Sequence, residues 1–229
     1  MKRIGVIADP HSNAVALQAV MEDMPKVDRI ICAGDLVGYG PQPNEVVEMV
    51  KSMDAVNVLG NHDHAVITGK YNSYDELAAK ADEWNQEELT GSNMKFLKKL
   101  DETKELEVEG HKIFVAHGTP RKPLKEYLYP GTSKRALAKM TQTANADVIV
   151  LGHTHVPMDE TIQGKLVINP GSVGQPRDRD PKASYMIMEL GSEREVSIKR
   201  VSYDVDEVEK MIKEAGLPEK FATRLHFGW

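Results

Sequence analysis

Short apolar runs that stop abruptly at clusters of Asp, His and Asn recur along this chain, and they constrain its fold more than any other feature. Ile4 to Ala8 ends at Asp9-Pro10-His11, Arg29 to Ala33 at Gly34-Asp35, and Ala55 to Leu59 at Gly60-Asn61-His62-Asp63. Between the first two runs lies an amphipathic stretch from Asn13 to Met24. Another follows from Asn44 to Met53, with Pro41 and Pro43 just ahead of it. Short apolar runs alternating with helical periodicity read as βαβαβ. Strands joined through helices pair in parallel and are covered by those helices. The polar clusters then share the carboxyl edge of the sheet, where ligands of open α/β folds gather.

From Asp63 to about Thr103 the pattern turns helical: Leu77, Ala81 and Trp84 share one face, and Phe96, Leu97 and Leu100 another. This predicts a helical cap inserted at about residues 64–103 over the edge of the core. Lys104 to Val108, a turn at Gly110, and Lys112 to Ala116 predict a hairpin whose second strand delivers His117. Thr119 to Gly131, with three prolines and several basic residues, reads as a loop, and Thr132 to about Thr143 as a helix. Strands are predicted at Val148 to Leu151, Leu166 to Ile168, Tyr185 to Leu190 and Val196 to Val201, followed by a helix from Asp204 to Ala215. At 229 residues with no internal repeat, the chain fits one domain, residues 1–229, carrying that insertion.

A hydrophobic fraction of 41% and a charged fraction of 28% suit a globular protein with a sizeable core. No apolar run approaches the ~20 residues that span a bilayer, and the apolar part of MKRIGVIADPHSN is too short for a signal peptide, so the cytoplasm is the expected location. Cys32 is the only cysteine, which excludes an intrachain disulfide. Inside the run RIICAG it reads as a small buried strand residue rather than a thiolate ligand. The net charge of −6 argues against bulk attraction to nucleic acid or an anionic membrane. It does not exclude an anionic substrate, because bound cations can reverse the local field.

Each cluster alone has an ordinary alternative. Asp9 or Ser12 could cap a helix, the stretch around Asp35 is rich in turn residues, and Gly60 to Asp63 could be a polar turn. Their weight comes from the series, which His117-Gly118 and Gly152-His153-Thr154-His155 extend at two further strand ends. A carboxylate carries two oxygens with several lone pairs, so Asp35 can bridge two cations. Asp9, His11, Asp35 and His155 then form one ligand set, and Asp35, Asn61, His117 and His153 a second. His62 would sit beside the metals, with Asp63 holding its imidazole in a chosen tautomer. Mixed oxygen and imidazole ligation suits two divalent metal ions, manganese first, with nickel, iron, cobalt or zinc as alternatives and magnesium less suited.

The order D-x-H, G-D, G-N-H-D, H, G-H-x-H, from Ile4 to about Tyr203, resembles the calcineurin-like metallophosphoesterase superfamily, and more narrowly its small prokaryotic YfcE-like phosphodiesterase group. No position of the core pattern is missing. The resemblance implies an α/β fold, a four-layer α/β/β/α sandwich of two mixed sheets. It gives the ligand positions the roles above, makes His62 the histidine that contacts phosphate and assists the leaving group, and makes Asp63 its acidic partner. Asn169 to Val173, followed by Pro176-Arg177, also looks like the small-family pattern and would form a turn near the metals.

The expected activity is hydrolysis of a phosphodiester, with two metals activating a bridging water and clamping the phosphate oxygens. The substrate would be a small phosphate ester or nucleotide. Arg121, Lys122, Lys125, Tyr127 and Arg177 are candidates for holding a second phosphate or a base, the alternative being a solvated basic loop. Tyr71, Tyr74 and Trp84 could stack a nucleobase, although helical spacing with Leu77 and Ala81 places Trp84 in the core. His111 and His226 are expected to be exposed, and His64 to lie near the site or cap a helix. Competing readings are a phosphomonoesterase, a protein phosphatase, a diadenosine polyphosphate hydrolase, or a non-catalytic binding scaffold. The tail Leu217 to Trp229 could pack on the core or on another subunit of a homo-oligomer.

Overall fold

A computed structural model describes residues 1–71 and 75–229. The expected alternation forms: β1 (Lys2–Ile7), α1 (Ala14–Asp23), β2 (Arg29–Cys32), α2 (Pro43–Ser52) and the short β3 (Val56–Asn57). Asn13 caps α1 by accepting from Ala16 N at 3.0 Å, and Pro43 opens α2, where its missing N–H costs nothing. β1 pairs in parallel with β2, in the register Ile4↔Arg29, and β2 with β3. The chain continues through α3 (Asn61–Thr68), α4 (Glu76–Glu88), α5 (Gly91–Leu97), β4 (Thr103–Val108), β5 (His111–Ala116), α6 (Lys134–Thr141), β6 (Val148–Val150), β7 (Met158–Ile162), β8 (Lys165–Asn169), β9 (Ala183–Leu190), β10 (Arg194–Val201), α7 (Val205–Glu214) and α8 (Glu219–Leu225).

Two mixed five-stranded sheets result, ordered β10-β9-β1-β2-β3 and β4-β5-β6-β8-β7. Alternation along the strands decides the layers, because successive side chains point to opposite faces. Ile4, Val6, Ile31 and Ala33 of the first sheet share a core with Ile113, Val115, Val150 and Ile168 of the second. The opposite faces carry Ile7, Cys32 and Ile187, packed under Leu17, Val20, Val46 and Val50 of α1 and α2, and Phe114, Ile149 and Val167, packed with Leu137 of α6. This is the four-layer α/β/β/α sandwich. The sheets are held by apolar burial on both faces, so truncating a fully buried strand residue such as Ile31 would cost about 2–5 kcal/mol.

Three segments depart from expectation. β3 is shorter than Ala55 to Leu59, because Leu59 N turns away to Asp101 O at 2.8 Å and the chain leaves the sheet to start α3. β7 was not visible in sequence: MDETI lacks alternation because this edge strand is mostly exposed, and its pairing with β8 supplies the order. The tail from Leu217, read in sequence only as a segment that could pack on the core or on another subunit, forms a helix over residues 219–225 whose Phe221, Ala222 and Leu225 pack with Val208 and Ile212 of α7.

No helix among the described residues is long and apolar enough to cross a membrane. Cys32 is fully buried under α1 and α2, and burial pushes its thiol up to about 12. Alkylation by iodoacetamide at pH 8 is therefore expected to be slow in the native protein and fast in urea; rapid native labelling would contradict this packing.

Candidate metal centre

The strand ends deliver their polar residues through backbone conformations that side chains rarely adopt. Asp9, His11 and Asp35 have φ of 52°, 45° and 53°, and His153 and His155 of 71° and 59°. Such residues cost about 1–3 kcal/mol each and persist only where the surroundings over-determine them. Here the loops are zipped together: Asp9 N donates to Gly34 O at 3.0 Å, His11 N to Asp35 O at 3.1 Å, and Gly152 N to His117 O at 2.9 Å. Gly60 is required where the third strand end meets the second, since a Cβ there would lie 2.1 Å from Asp35 Oδ1.

The result is two buried groups of ligand atoms, Asp9 with His11 and His155, and Asp35 with His117 and His153, each within 4.8 Å of one another. Asp35 Oδ2 lies 3.0 Å from His117 Nε2 and 3.6 Å from His11 Nε2, so one oxygen faces both groups. Asn61 Oδ1 is 3.0 Å from His117 Nε2, which is in turn 3.1 Å from His153 Nδ1. Asp9 Oδ1 sits 3.4 Å from His155 Nε2 and 3.7 Å from His11 Nε2. All seven expected ligand positions therefore converge on one place.

The hydrogen-bond pattern tests whether cations fit. His11 Nδ1 donates to Val37 O at 2.9 Å and His155 Nδ1 to Gln175 O at 2.6 Å, and carbonyls only accept. Burial, together with like-charged neighbours, holds both imidazoles well below the ordinary histidine range, so both are neutral. Two bare Nε2 lone pairs then face each other at 3.1 Å with no proton to share. Asp9 Oδ1 is also buried with no donor among the described residues. A cation about 2.0–2.2 Å from each atom resolves these conflicts, and the separations match the edges of such a coordination shell. Protons otherwise take the cations' place. Burial raises Asp9 to about 7, and on His117 the Asp35 carboxylate outweighs burial and lifts the imidazole to about 9.

Residues 1–193 match the calcineurin-like phosphoesterase superfamily domain. The chain belongs to that superfamily. It is 36% identical to an uncharacterized protein of Methanocaldococcus jannaschii over 98% of each chain. It is also 36% identical to a crystallised metallophosphoesterase from Sphaerobacter thermophilus, with a TM-score of 0.88 over 100% of this chain and 99% of that one. A phosphodiesterase of Methanocaldococcus jannaschii is 24% identical over 74% of this chain and 82% of its own length. As a calcineurin-like phosphoesterase, the protein is a metal-dependent hydrolase, and its two buried His/Asp groups are where this family's divalent metals would be held.

Around the cluster, the partner of His62 differs from expectation. Asp63 is spent on the backbone: its oxygens accept from Val37 N and Gly60 N, both at 3.0 Å, closing the first turn of α3. Asp82 of α4 instead meets His62 Nδ1 at 2.8 Å; against burial, which lowers it, Asp82 together with Tyr39 and Asp35 holds the imidazole well above the ordinary histidine range. Tyr39 was likewise missed: its ring lies 4.7 Å from His11 and 4.5 Å from His62, with Phe221 of α8 packed edge-on behind it at 5.0 Å. Neither carried a sequence signal, because α4 and the loop after β2 meet only in the fold.

Arg177 is at the site: its backbone N donates to His155 O at 3.2 Å and its guanidinium lies 5.5 Å from the Tyr39 ring centroid. Arg121 is committed to Glu126, through Nε at 2.7 Å. Tyr127 stacks on His153 at 3.7 Å. Tyr71 donates to Gln86 at 2.9 Å, Trp84 packs with α7 and α8, and Tyr74 lies outside the described residues. His64 is half-buried in α3. His111 and His226 are also half-buried rather than exposed. His111 Nε2 reaches Gly191 O at 2.8 Å, tying the second sheet to the first, and His226 pairs with Glu209.

Metal loading is expected to show in stability. At about a hundredfold excess over Kd, manganese would contribute about 2.7 kcal/mol, a rise in Tm of roughly 5–10 °C for a chain of this size. Asp35→Ala should abolish both the rise and the bound metal counted by elemental analysis. Metal content equal to wild type in that variant would remove Asp35 from the ligand set.

Proposed function

We propose that the protein is a dinuclear phosphodiesterase of the reducing cytoplasm, manganese being the first choice of metal, acting on a small phosphate ester or nucleotide. The observation that carries the reading is the single Asp35 oxygen facing both ligand groups, at 3.0 Å from His117 and 3.6 Å from His11. Asp9, His11, Asp35 and His155 would hold one ion, and Asp35, Asn61, His117 and His153 the other. When bound, such a pair supplies a nucleophile at neutral pH and charge stabilisation for the phosphate oxygens.

The remaining work falls to the protein. His62, with its Nδ1 against Asp82 and its ring 5.1 Å from His11, is placed beside the ligands rather than among them. From there it binds a phosphate oxygen and gives a proton to the departing alcohol. Asp82 is a positioning residue that fixes the ring and its tautomer, while Asp63 holds the first turn of α3. Arg177, next to His155 and Tyr39, supplies a positive charge at the rim. Of the cap expected at residues 64–103, in which 72–74 lie outside the described residues, α4 brings Asp82 to His62. The buried thiol of Cys32 suits a reducing compartment.

His62→Ala should retain both metals and lose about 10²-fold to 10⁴-fold in kcat on an unactivated diester. Asp82→Asn should lose about tenfold or more, again with metal retained. Full activity in His62→Ala would overturn these roles. The substrate class is tested by reloading metal-stripped protein with Mn, Ni, Co, Zn or Mg and comparing an aryl phosphodiester, an aryl phosphomonoester, diadenosine tetraphosphate and a phosphopeptide. The diester with manganese is expected to lead, and a lead by any other substrate would replace the phosphodiesterase assignment.

A further inference from the structure

The loop after β5 builds an aromatic ladder out of the metal centre. Tyr127 lies face to face with His153, 3.7 Å between ring centroids and 13° between planes, and Tyr129 continues the stack at 5.8 Å and 11°. His153 is 5% exposed, whereas Tyr127 and Tyr129 are 46% and 49% exposed, so the stack runs from a buried ligand ring outward into solvent. Among the described residues Tyr127 and Tyr129 share this exposure with Phe227 and Trp229 at the C-terminus, but only the two tyrosines adjoin the ligand cluster.

Local structure explains how the rings are presented. Residues 127–129 lie outside regular secondary structure, and Leu128 is buried in the core beneath the second sheet while the tyrosines on either side of it are exposed. The backbone is pinned on both flanks: Glu126 accepts from Arg121, and Tyr129 O accepts from Thr132 N at 3.2 Å and Thr132 Oγ1 at 2.7 Å. The platform is therefore preorganised. Lys122 and Lys125 are exposed on the same loop, with no ion pair among the described residues. His153 Nδ1 faces the ligand cluster, and its Nε2 is buried without a partner among the described residues.

We propose that Tyr127 and Tyr129 form a stacking platform for a nucleobase, so that the phosphoester held at the metals is a nucleoside ester. This rests on the phosphodiesterase reading of the same site. Flat, exposed rings that begin on a residue of the ligand cluster suit a ligand that carries an aromatic face as well as a phosphate. Stacking of a base on an aromatic side chain is sequence-tolerant, so the platform selects nucleosides without choosing among them.

The test uses the full chain with Tyr129→Ala and Tyr129→Phe. Calorimetric titration with adenosine should show binding to wild type, about tenfold weaker binding to Tyr129→Ala, and near wild-type binding to Tyr129→Phe. In parallel, the kcat/KM ratio for the dinucleoside monophosphate of adenosine over glycerophosphoglycerol should fall about tenfold in Tyr129→Ala, mainly through KM. No adenosine binding by wild type, or equal binding by wild type and Tyr129→Ala, would overturn the platform. Tyr129-dependent adenosine binding in a protein that hydrolyses neither ester would keep the platform and overturn the phosphodiesterase reading.

Discussion

Asp35 is the point on which the structure turns. Its carboxylate is almost completely withdrawn from water, with Oδ1 accepting from His62 N at 2.8 Å and Oδ2 left to face His117 and His11. A second buried carboxylate, Asp9, reaches the same space. Two such charges in a dry interior are tolerable only with matching positive charge, and removing the partner of a buried charge typically costs several kcal/mol. The left-handed turns at Asp9, His11, His153 and His155, and the contact that only a glycine at position 60 permits, bring imidazoles and carboxylates of separate strand ends close enough to share cations. The sandwich supplies rigidity for this purpose, since a ligand shell of this tolerance cannot be held by mobile loops.

A second ring of contacts makes the helical segment between β3 and β4 part of that machinery. Asp82 and Asn85 sit three residues apart on one buried face of α4. Asp82 holds His62, while Asn85 accepts from Ser12 Oγ at 2.5 Å and Gly38 N at 3.1 Å and donates to Gly40 O at 3.2 Å. The loops after β1 and β2, which carry His11 and Asp35, are thus stitched to α4 by buried polar bonds whose loss leaves unsatisfied groups. From the other side, α8 sets Phe221 behind Tyr39 and brings Arg224 to Gln175, whose carbonyl orients His155. Helix α8, beyond residue 193 where the family match ends, therefore buttresses the surroundings of His11 and His155.

What could be read in the sequence follows from the range of the interactions involved. The βαβαβ succession at the start of the chain and the family of the chain were legible, because short apolar runs ending in Gly, Asp, His and Asn are local patterns. The seven residues proposed as ligands and the helix after Asp204 rest on such patterns, whereas the two mixed sheets were expected from the family resemblance alone. The partner of His62 was not legible. Asp63, adjacent in sequence, was the natural choice, but a residue at the third position of a helix points back to close its own first turn, and so Asp63 satisfies Gly60 N. Asp82 and Tyr39 reach the site by tertiary packing alone, which leaves no local trace. β7 and α8 were missed for related reasons: one takes its order from a neighbouring strand, the other from the groove beside α7.

The acidic total of the chain and its anionic substrate are compatible because the charges are segregated. Asp9, Asp35, Asp63 and Asp82 are buried and committed to backbone donors, imidazoles or the places of cations, so they present little negative field to an arriving phosphate. In the metal-free protein protons stand in for the cations, with Asp9 raised to about 7 and His117 to about 9. Metal binding must displace such protons, so loading, protonation and stability form one linked equilibrium. The positive groups outside this core, Arg177, Lys122 and Lys125, lie instead on the segments after β8 and β5. A rigid, charge-balanced core can then keep its chemistry while these outer segments change what is brought to it.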